Sequence, residues 1–288
     1  MRVAHVAAEA KVNLVLRVLG RAPDGYHTLE TVFQRITLAD DVTVAETNGA
    51  STLDVQWVGD GEAPDVGPVE RNLAWRAAAA YRDATGFPNG WAITIAKRIP
   101  IGGGLGGGSA DAGAVLRALN ARSPNPVSSD RLIAIGAPLG ADVAFLTSDA
   151  ALALGHGRGD RLTPLPALPS RSISLLVPPF GVATADAYGW LAQSRGRVAA
   201  APRAPLDALA LASWPQMERL LENDLEPPVF DALPALAALR AASGPLAMMS
   251  GSGSTVFVLG APPTSIPIGV RVVACRTAER AAPVQITD

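Results

Sequence analysis

The sequence has few of the residues that build disulfides and metal sites. It contains a single cysteine, Cys275, which excludes an internal disulfide and a metal site built from cysteines. The three histidines, His5, His27 and His156, lie far apart and lack the spacing of metal ligands. A lone thiol also suits a reducing compartment, so we expect a cytoplasmic protein.

Charge and long apolar runs are also scarce. Charged residues make up 17% of the chain and the net charge is -2, so neither nucleic acid nor an anionic membrane is expected as a partner. Glu9, Lys11 and Asn13 interrupt the N-terminal apolar stretch, which excludes a signal-peptide core there. No apolar run is long enough to span a bilayer. With 49% apolar residues, the chain is expected to be a soluble protein that binds small molecules, without an obligate protein partner.

Lysine is nearly absent. Only Lys11 and Lys97 are lysine among the 24 basic residues, and the rest are arginine. In a chain with this bias, lysine is expected where a compact ammonium with an adjustable pKa is needed. Both lysines are therefore candidate functional residues. Because Arg98 follows Lys97, we interpret Lys97 as an ordinary exposed strand end and give Lys11 the greater weight.

The chain mixes strand and helix patterns. The alternation in residues 12–18 predicts a strand that carries Lys11 and Asn13 on one face. Further strands are predicted at residues 31–38, 41–46, 52–58, 91–99, 150–154, 172–177 and 270–274, and helices at 69–84, 109–120 and within 183–242. These elements do not alternate as βαβ units, which favours an α+β fold. The Gly-, Pro- and Arg-rich segment 156–171 is the predicted loop between two lobes.

The strongest signal for function is a glycine-rich segment, IPIGGGLGGGSADAG, at residues 99–113. Six of the seven positions 102–108 are glycine. Between a strand and a helix, such a loop lets backbone N–H groups close on an anion, and the helix dipole adds to the attraction. Each glycine costs about 0.5–1 kcal/mol relative to Ala within a regular element. We therefore interpret the segment as a phosphate-binding loop and not as a linker.

Two common phosphate loops fit this segment poorly. The Walker pattern needs a lysine after the last glycine, and Ser109 stands there instead. Gly102, Gly104 and Gly107 satisfy G-x-G-x-x-G, which is a weak signal alone. A dinucleotide site would also need an acidic residue at the end of the next strand, but Asp130 lies at a predicted helix start. This excludes the interpretation as a Rossmann oxidoreductase.

Three other segments extend the pattern: AKVNLVLRVLGRAPDGYHTLETVF (10–33), LGADVAFL (139–146) and SGSGSTVFV (250–258). With the glycine-rich loop they resemble the GHMP family of small-molecule kinases. AKVNL followed by DGYHTL is similar to the branch that phosphorylates 4-diphosphocytidyl-2-C-methyl-D-erythritol in the non-mevalonate isoprenoid pathway. The resemblance implies a two-lobed fold with the active site in the cleft between a nucleotide-binding lobe, residues 1–155, and a substrate-binding lobe, residues 156–288. It also implies ATP as donor to the 2-hydroxyl, with Mg2+ held mainly by the nucleotide phosphates.

Asp142 matches the catalytic acidic residue of this family, and Lys11 matches its partner lysine. A carboxylate can accept or orient the hydroxyl proton while an ammonium offsets charge on the transferring phosphoryl group. A helix-cap role for Asp142 after Gly140 is the structural alternative. The family usually places proline after the Asp-Val pair, and Ala144 stands here instead. Whether the carboxylate removes the proton or only orients the hydroxyl stays open.

The resemblance implies two sets of binding residues. The nucleotide set is Asn72, Gly102, Gly103, Gly104, Leu105, Gly106, Gly107, Gly108 and Ser109. The substrate set is Asn13, Tyr26, His27, Asp142, Tyr188, Gly251 and Gly253. Tyr26 and His27 match the cytosine-recognition segment, and Tyr188 or Trp190 is expected on the other face of the base. Helix capping by Asn72 and Ser109, turn packing by Tyr26 and a simple hairpin at 250–255 are the structural alternatives.

Two rival functions remain at this point. Another GHMP kinase would act on mevalonate, homoserine or a sugar, but these substrates carry no cytosine for the DGYH segment to bind. A nucleotide-binding protein without catalysis would need neither Lys11 nor Asp142. The sequence therefore favours an ATP-dependent kinase for the cytidine compound.

Overall fold

The structure is a computed structural model that describes residues 2–21, 27–59, 65, 67–194 and 203–287. The strands are β1 (Val3–Arg21), β2 (His27–Thr47), β3 (Thr52–Trp57), β4 (Gly90–Lys97), β5 (Leu152–Gly157), β6 (Arg161–Leu165), β7 (Ser172–Val177), β8 (Glu222–Asn223), β9 (Ala247–Met249), β10 (Val256–Val258), β11 (Arg271–Arg276) and β12 (Gln285–Thr287). The α-helices are α1 (Leu73–Thr85), α2 (Gly107–Arg122), α3 (Ser129–Gly136), α4 (Ala141–Thr147), α5 (Thr184–Ser194), α6 (Trp214–Glu218), α7 (Glu226–Ala232) and α8 (Pro234–Ala242). Within the described ranges, no helix has the length and apolarity needed to cross a membrane.

The larger sheet is built around the long antiparallel pair of β1 and β2. Its main path runs β12-β1-β2-β4-β3, while β5 pairs with β2, β6 with β5 and β8 with β1. Strand β1 is buried along most of its length and contributes to both cores of the molecule. Val12 and Leu14 belong to the first core, whereas Leu16 and Val18 belong to the second. Lys11 and Asn13 consequently lie on a strand that links the two cores.

Helix α2 packs closely on this sheet and on helix α4. Small residues line it: Ala110, Ala112, Ala114 and Ala118 are all buried. Gly113 is required at the crossing with α4, because an added Cβ atom there would lie 2.6 Å from the carbonyl oxygen of Leu146. The beginnings of the two helices also lie close together, since a Cβ atom added at Gly106 would lie 3.4 Å from Asp142 Oδ2.

The smaller sheet is antiparallel, in the order β11-β7-β10-β9. The second core of the molecule combines strands β7, β9 and β10 of this sheet with α5, α7 and α8, through residues such as Leu176, Leu191 and Leu236. Residues 250–255, SGSGST, form the turn between β9 and β10. The N–H group of Ser250 donates to the carbonyl of Thr255 at 2.9 Å, which closes this turn.

Several elements differ from the sequence predictions, although the α+β class is confirmed. The predicted loop 156–171 contains a hairpin, because β5 continues to Gly157 and pairs with β6. The two strands predicted at 31–38 and 41–46 form the single strand β2. Strands β8 and β12 were not predicted. Both are short, and both pair with β1 across more than 200 residues of sequence.

Candidate active site

A cavity of about 430 Å³ lies where β1, the glycine-rich loop, α4 and the 250–255 turn meet. Its lining includes predicted residues from all four segments: Lys11, Asn13, Gly102, Gly104, Gly106, Gly107, Gly108, Ser109, Asp142, Tyr188 and Gly251. The structure therefore brings together residues that are up to 240 positions apart in the chain. Such a concave meeting point of polar groups is the usual form of a small-molecule site.

The glycine-rich loop is pressed against the 250–255 turn. Gly104 has a φ of 72°, in the left-handed region that favours glycine. A Cβ atom added there would lie 2.0 Å from the carbonyl oxygen of Ser250, so no other residue fits without a shift of backbone. The Ser250 hydroxyl donates to the Gly104 carbonyl at 3.0 Å, and the Thr255 N–H donates to the Gly103 carbonyl at 3.2 Å. The turn thus fixes the loop from the side of the smaller sheet.

Lys11 and Asp142 meet beside this loop. The Lys11 Nζ atom lies 3.3 Å from Asp142 Oδ2, and it donates to the Gly104 carbonyl at 3.0 Å and to Asn13 Oδ1 at 2.6 Å. The lysine side chain is 4% exposed and the Asp142 side chain 31%. Asp142 lies in the first turn of helix α4, and Gly140 is the N-cap. An enclosed ammonium beside a carboxylate that is open to the cavity can position a hydroxyl and offset phosphate charge.

A hydrogen-bond relay supports this pair from β2. Asn13 Nδ2 donates to the Thr31 hydroxyl at 2.8 Å, and this hydroxyl donates to the Val15 carbonyl at 2.7 Å. Both side chains are buried. The relay fixes the amide orientation of Asn13, so that its oxygen faces Lys11. Thr31 was not singled out from the sequence, since a threonine in an alternating strand carries no distinctive signal.

A second cavity, of about 270 Å³, lies on the other side of the glycine-rich loop. Asn72 and Leu73 line it together with the loop and Asp111. Asn72 caps α1, because its Oδ1 atom accepts a hydrogen bond from the Ala74 N–H group at 2.9 Å. Gly106 is the N-cap of α2 and offers no capping side chain, and Ser109 lies in the first turn of this helix, facing the larger cavity. The capping alternative therefore holds for Asn72 but not for Ser109.

Of the predicted cytosine-binding residues, the structure describes His27, Tyr188 and Trp190. His27 stacks on Tyr188, with ring centroids 4.5 Å apart and an interplanar angle of 25°. Tyr188 lines the larger cavity, whereas Trp190 packs against the second core. Gly253 lies in the 250–255 turn, beyond the cavity lining. The prediction for Tyr26 falls outside the described residues.

The interpretation of Lys97 as an exposed strand end is wrong. Lys97 is 5% exposed and donates to Asp40 and, at 2.6 Å, to Asp111. Burial works to lower its pKa, but the carboxylates of Asp111 and Asp40 reverse this and raise the pKa above the ordinary value. Burial raises the pKa of Asp111 to about 7; Lys97 acts in the opposite direction, and Asp40 adds to the rise. The scarcity of lysine was the signal that could have found this cluster.

Comparison with known proteins identifies the class. Residues 72–154 match the family model for the GHMP kinases N terminal domain, a range that holds both the glycine-rich loop and Asp142. The fold and the site therefore define a GHMP kinase.

Relatives with known names narrow the class. The chain is 40% identical to 4-diphosphocytidyl-2-C-methyl-D-erythritol kinase of Geobacter sp. (strain M21), over 90% of each chain. It is 40% identical to the enzyme of that name from Moorella thermoacetica, over 91% of each chain. A crystal structure of 4-(cytidine 5'-diphospho)-2C-methyl-D-erythritol kinase matches with a TM-score of 0.72 and 37% identity, covering 95% of this chain and 98% of that one. The chain belongs to the family of 4-diphosphocytidyl-2-C-methyl-D-erythritol kinases, and the predicted GHMP kinase fold is confirmed.

Proposed function

We propose that this chain transfers the γ-phosphoryl group of ATP to the 2-hydroxyl of 4-diphosphocytidyl-2-C-methyl-D-erythritol. The observation that carries the proposal is the pairing of Lys11 with Asp142, 3.3 Å apart, at the wall of a cavity that the glycine-rich loop also lines. Relatives about 40% identical over nine-tenths of the chain bear the name of this activity. We assign the reaction to the cytoplasm and to the non-mevalonate route to isoprenoids.

The residues divide the work of phosphoryl transfer. N–H groups of loop residues 102–108 and of the first turn of α2 surround the phosphates, because the N-terminus of a helix attracts anions. Asp142 holds the substrate hydroxyl and accepts its proton or its hydrogen bond as the oxygen attacks phosphorus. Lys11 keeps the carboxylate in place and offsets the negative charge that collects on the transferred group. Asn13 holds the Lys11 ammonium in place by accepting its hydrogen bond.

The adenosine part of the nucleotide belongs in the second cavity, beside Asn72, with the phosphates passing over the loop into the first. Mg2+ suits this arrangement because Ser109 and Asp142 offer hard oxygen donors at the first cavity. The described residues contain no cluster of three or more acidic, histidine or cysteine side chains that could hold a metal, so nucleotide phosphates would be its main ligands. When bound, the ion neutralises phosphate charge.

The cytidine part belongs near Tyr188. Since the rings of His27 and Tyr188 are in direct contact, a base between them would need the pair to separate. We therefore assign the base to the cavity beside Tyr188, with His27 at its polar edge, and keep Tyr26 as a predicted binding residue. In this arrangement residues 1–155 chiefly bind nucleotide, while residues 156–288 supply Tyr188 and the 250–255 turn to the substrate.

An assay of ATP consumption tests the proposal. The purified chain is given ATP, Mg2+ and, separately, 4-diphosphocytidyl-2-C-methyl-D-erythritol, mevalonate, homoserine or galactose, and ³¹P NMR follows the products. We expect ADP and a new phosphomonoester with the cytidine compound alone. Turnover of another compound in the panel would keep the kinase class and reject the cytosine site. If none of the four were consumed, the assignment of this reaction would be rejected.

A further inference from the structure

The buried group of Lys97, Asp40 and Asp111, here called the Lys97 cluster, lies directly beneath the glycine-rich loop. Lys97 ends β4, shortly before loop residues 102–108, and Asp111 lies in α2, shortly after them. Their Nζ and Oδ2 atoms are 2.6 Å apart, so one ion pair joins the two ends of the loop. All three side chains are nearly inaccessible to solvent, with exposures of 6%, 0% and 4%.

Asp40 fixes the first residues of the loop segment as well. It comes from β2, and its Oδ1 atom accepts hydrogen bonds from the backbone N–H groups of Arg98 at 2.5 Å and Ile99 at 2.8 Å. Its Oδ2 atom accepts from Lys97. The Lys97 ammonium thus connects three segments: strand β2, the chain that enters the loop, and helix α2, which follows the loop. Buried networks of this kind can contribute more than the sum of their pairwise contacts.

The cluster also contacts the loop itself. A Cβ atom added at Gly107, the first residue of α2, would lie 3.2 Å from Lys97 Nζ. Any shift of the ammonium therefore reaches the N–H groups at the beginning of α2 that are assigned to the phosphates.

Stability alone gives a poor account of this arrangement. Buried ion pairs are often replaced by apolar residues without loss of stability, because the desolvation penalty offsets the attraction. The cluster is moreover incompletely satisfied, since Asp111 Oδ1 is buried and has no hydrogen-bond partner in the part of the chain that the structure describes. Departures of this kind are expected where a sequence serves function over stability.

We infer that Lys97 is a positioning residue, which through Asp40 and Asp111 holds the glycine-rich loop at the spacing that the nucleotide phosphates require. The inference rests on the proposed function, in which this loop binds the phosphates of ATP. It predicts a specific defect. Lys97 and Asp111 also line the second cavity, but their side chains are only 6% and 4% exposed, so loss of the cluster weakens ATP through its phosphates, while the affinity for the second substrate and for adenosine stays near that of the wild type.

Lys97→Met tests this with binding and kinetics. We expect its Kd for a non-hydrolysable ATP analogue, measured by calorimetry, and its KM for ATP to rise about tenfold or more, because small misplacements of a site carry penalties of this size. The KM for the cytidine substrate and the affinity for adenosine, followed by ligand-observed NMR, should change less than about twofold. Arg117→Met is the matched control, since Arg117 is a buried cation on the same helix that contacts Asp149 and the Ala282 carbonyl, away from the loop.

Asp111→Asn decides the matter if Lys97→Met does not fold, as judged by circular dichroism. This variant keeps the shape of the side chain and leaves Lys97 paired with Asp40, and we expect a rise of about threefold or more in the Kd for the ATP analogue. An unchanged affinity in a folded variant would overturn the inference. An equal loss for adenosine would also overturn it, because Lys97 would then contact the nucleoside. Failure of the wild type to bind the analogue would instead reject the proposed function.

Discussion

The two lysines of this chain stand on opposite sides of the same glycine-rich loop, and their surroundings differ in one respect. Both ammonium groups are enclosed, with side-chain exposures of 4% for Lys11 and 6% for Lys97. Lys11 faces a single carboxylate, Asp142, which is 31% exposed and open to the larger cavity. Lys97 faces two carboxylates that are almost completely buried. The carboxylate partner of Lys11 can therefore reach a ligand in the larger cavity, whereas the charge of Lys97 is used within the protein.

This difference assigns chemistry to one lysine and support to the other. An ammonium at the wall of a site can offset charge that develops on a phosphoryl group, and a carboxylate in contact with the cavity can reach a substrate hydroxyl. A cation between two buried carboxylates has little attraction left for an anion. Variants around the two lysines should therefore have different defects. Those near Lys11 should lose turnover, and those near Lys97 should lose stability and affinity for the nucleotide.

The largest effect is expected at Asp142. Asp142→Asn keeps the shape of the side chain but removes the charge that orients or accepts the hydroxyl proton, so kcat should fall by about 10³-fold or more. The affinities for ATP and the cytidine substrate should stay within about tenfold. Steady-state kinetics and calorimetry check both. Asp130→Asn is the matched control, because Asp130 is likewise an acidic residue in the first turn of a helix. A rate near that of the wild type would remove Asp142 from the chemistry.

The next effect concerns stability and separates the two lysines directly. Lys97→Met leaves two uncompensated carboxylates in the interior, and breaking a buried pair in this way costs about 3–5 kcal/mol. Lys11→Met leaves Asp142 free to be hydrated from the cavity and loses the hydrogen bonds to Asn13 and Gly104, so its loss should be about 1–3 kcal/mol. Urea unfolding of both variants measures the difference. If Lys11→Met proved as destabilising as Lys97→Met, the contrast between the two surroundings would be refuted.

Much of the Lys11 side of the loop was predictable from the sequence, and the Lys97 side was not. Lys11, Asn13 and the loop occur in short motifs, and the strand alternation already places Lys11 and Asn13 on one face. The Lys97 cluster depends on tertiary structure, because Asp40 and Asp111 are 57 and 14 residues away from Lys97. An aspartate inside an alternating strand has the same appearance in sequence whether it is solvated or buried. Only the pairing of β2 with β4 brings Asp40 to the end of β4.

A smaller effect is expected behind Lys11, at Thr31. Thr31→Val removes the hydroxyl that accepts from Asn13 and donates to the Val15 carbonyl. Asn13 then loses its fixed orientation, so that Lys11 is held less well, and kcat should fall about tenfold with little change in the KM for ATP. Thr43→Val, on the same strand, is the control, since the Thr43 hydroxyl contacts the exposed His5, away from the site. A change confined to the KM for ATP would mean that Thr31 supports nucleotide binding and not the pair of Lys11 and Asp142.

The smallest effect is a pH dependence that belongs to the Lys97 side alone. Burial raises the pKa of Asp111 from 3.8 to about 7, with Lys97 opposing and Asp40 adding to the rise. A group whose pKa is raised by folding contributes stability that is complete below its unfolded pKa and is lost as the pH rises through its folded pKa. In the wild type this loss should fall between about pH 4 and 7, the range between the unfolded and the folded pKa, whereas Asp111→Asn cannot ionise there and escapes it. Urea unfolding across this range should show the variant gaining about 1 kcal/mol or more relative to the wild type. If the variant instead lost stability relative to the wild type, Lys97 would outweigh burial and keep Asp111 ionised. The Lys97 cluster would then be an ordinary ion pair like that of Lys11 with Asp142, and the contrast between the two lysines would be refuted.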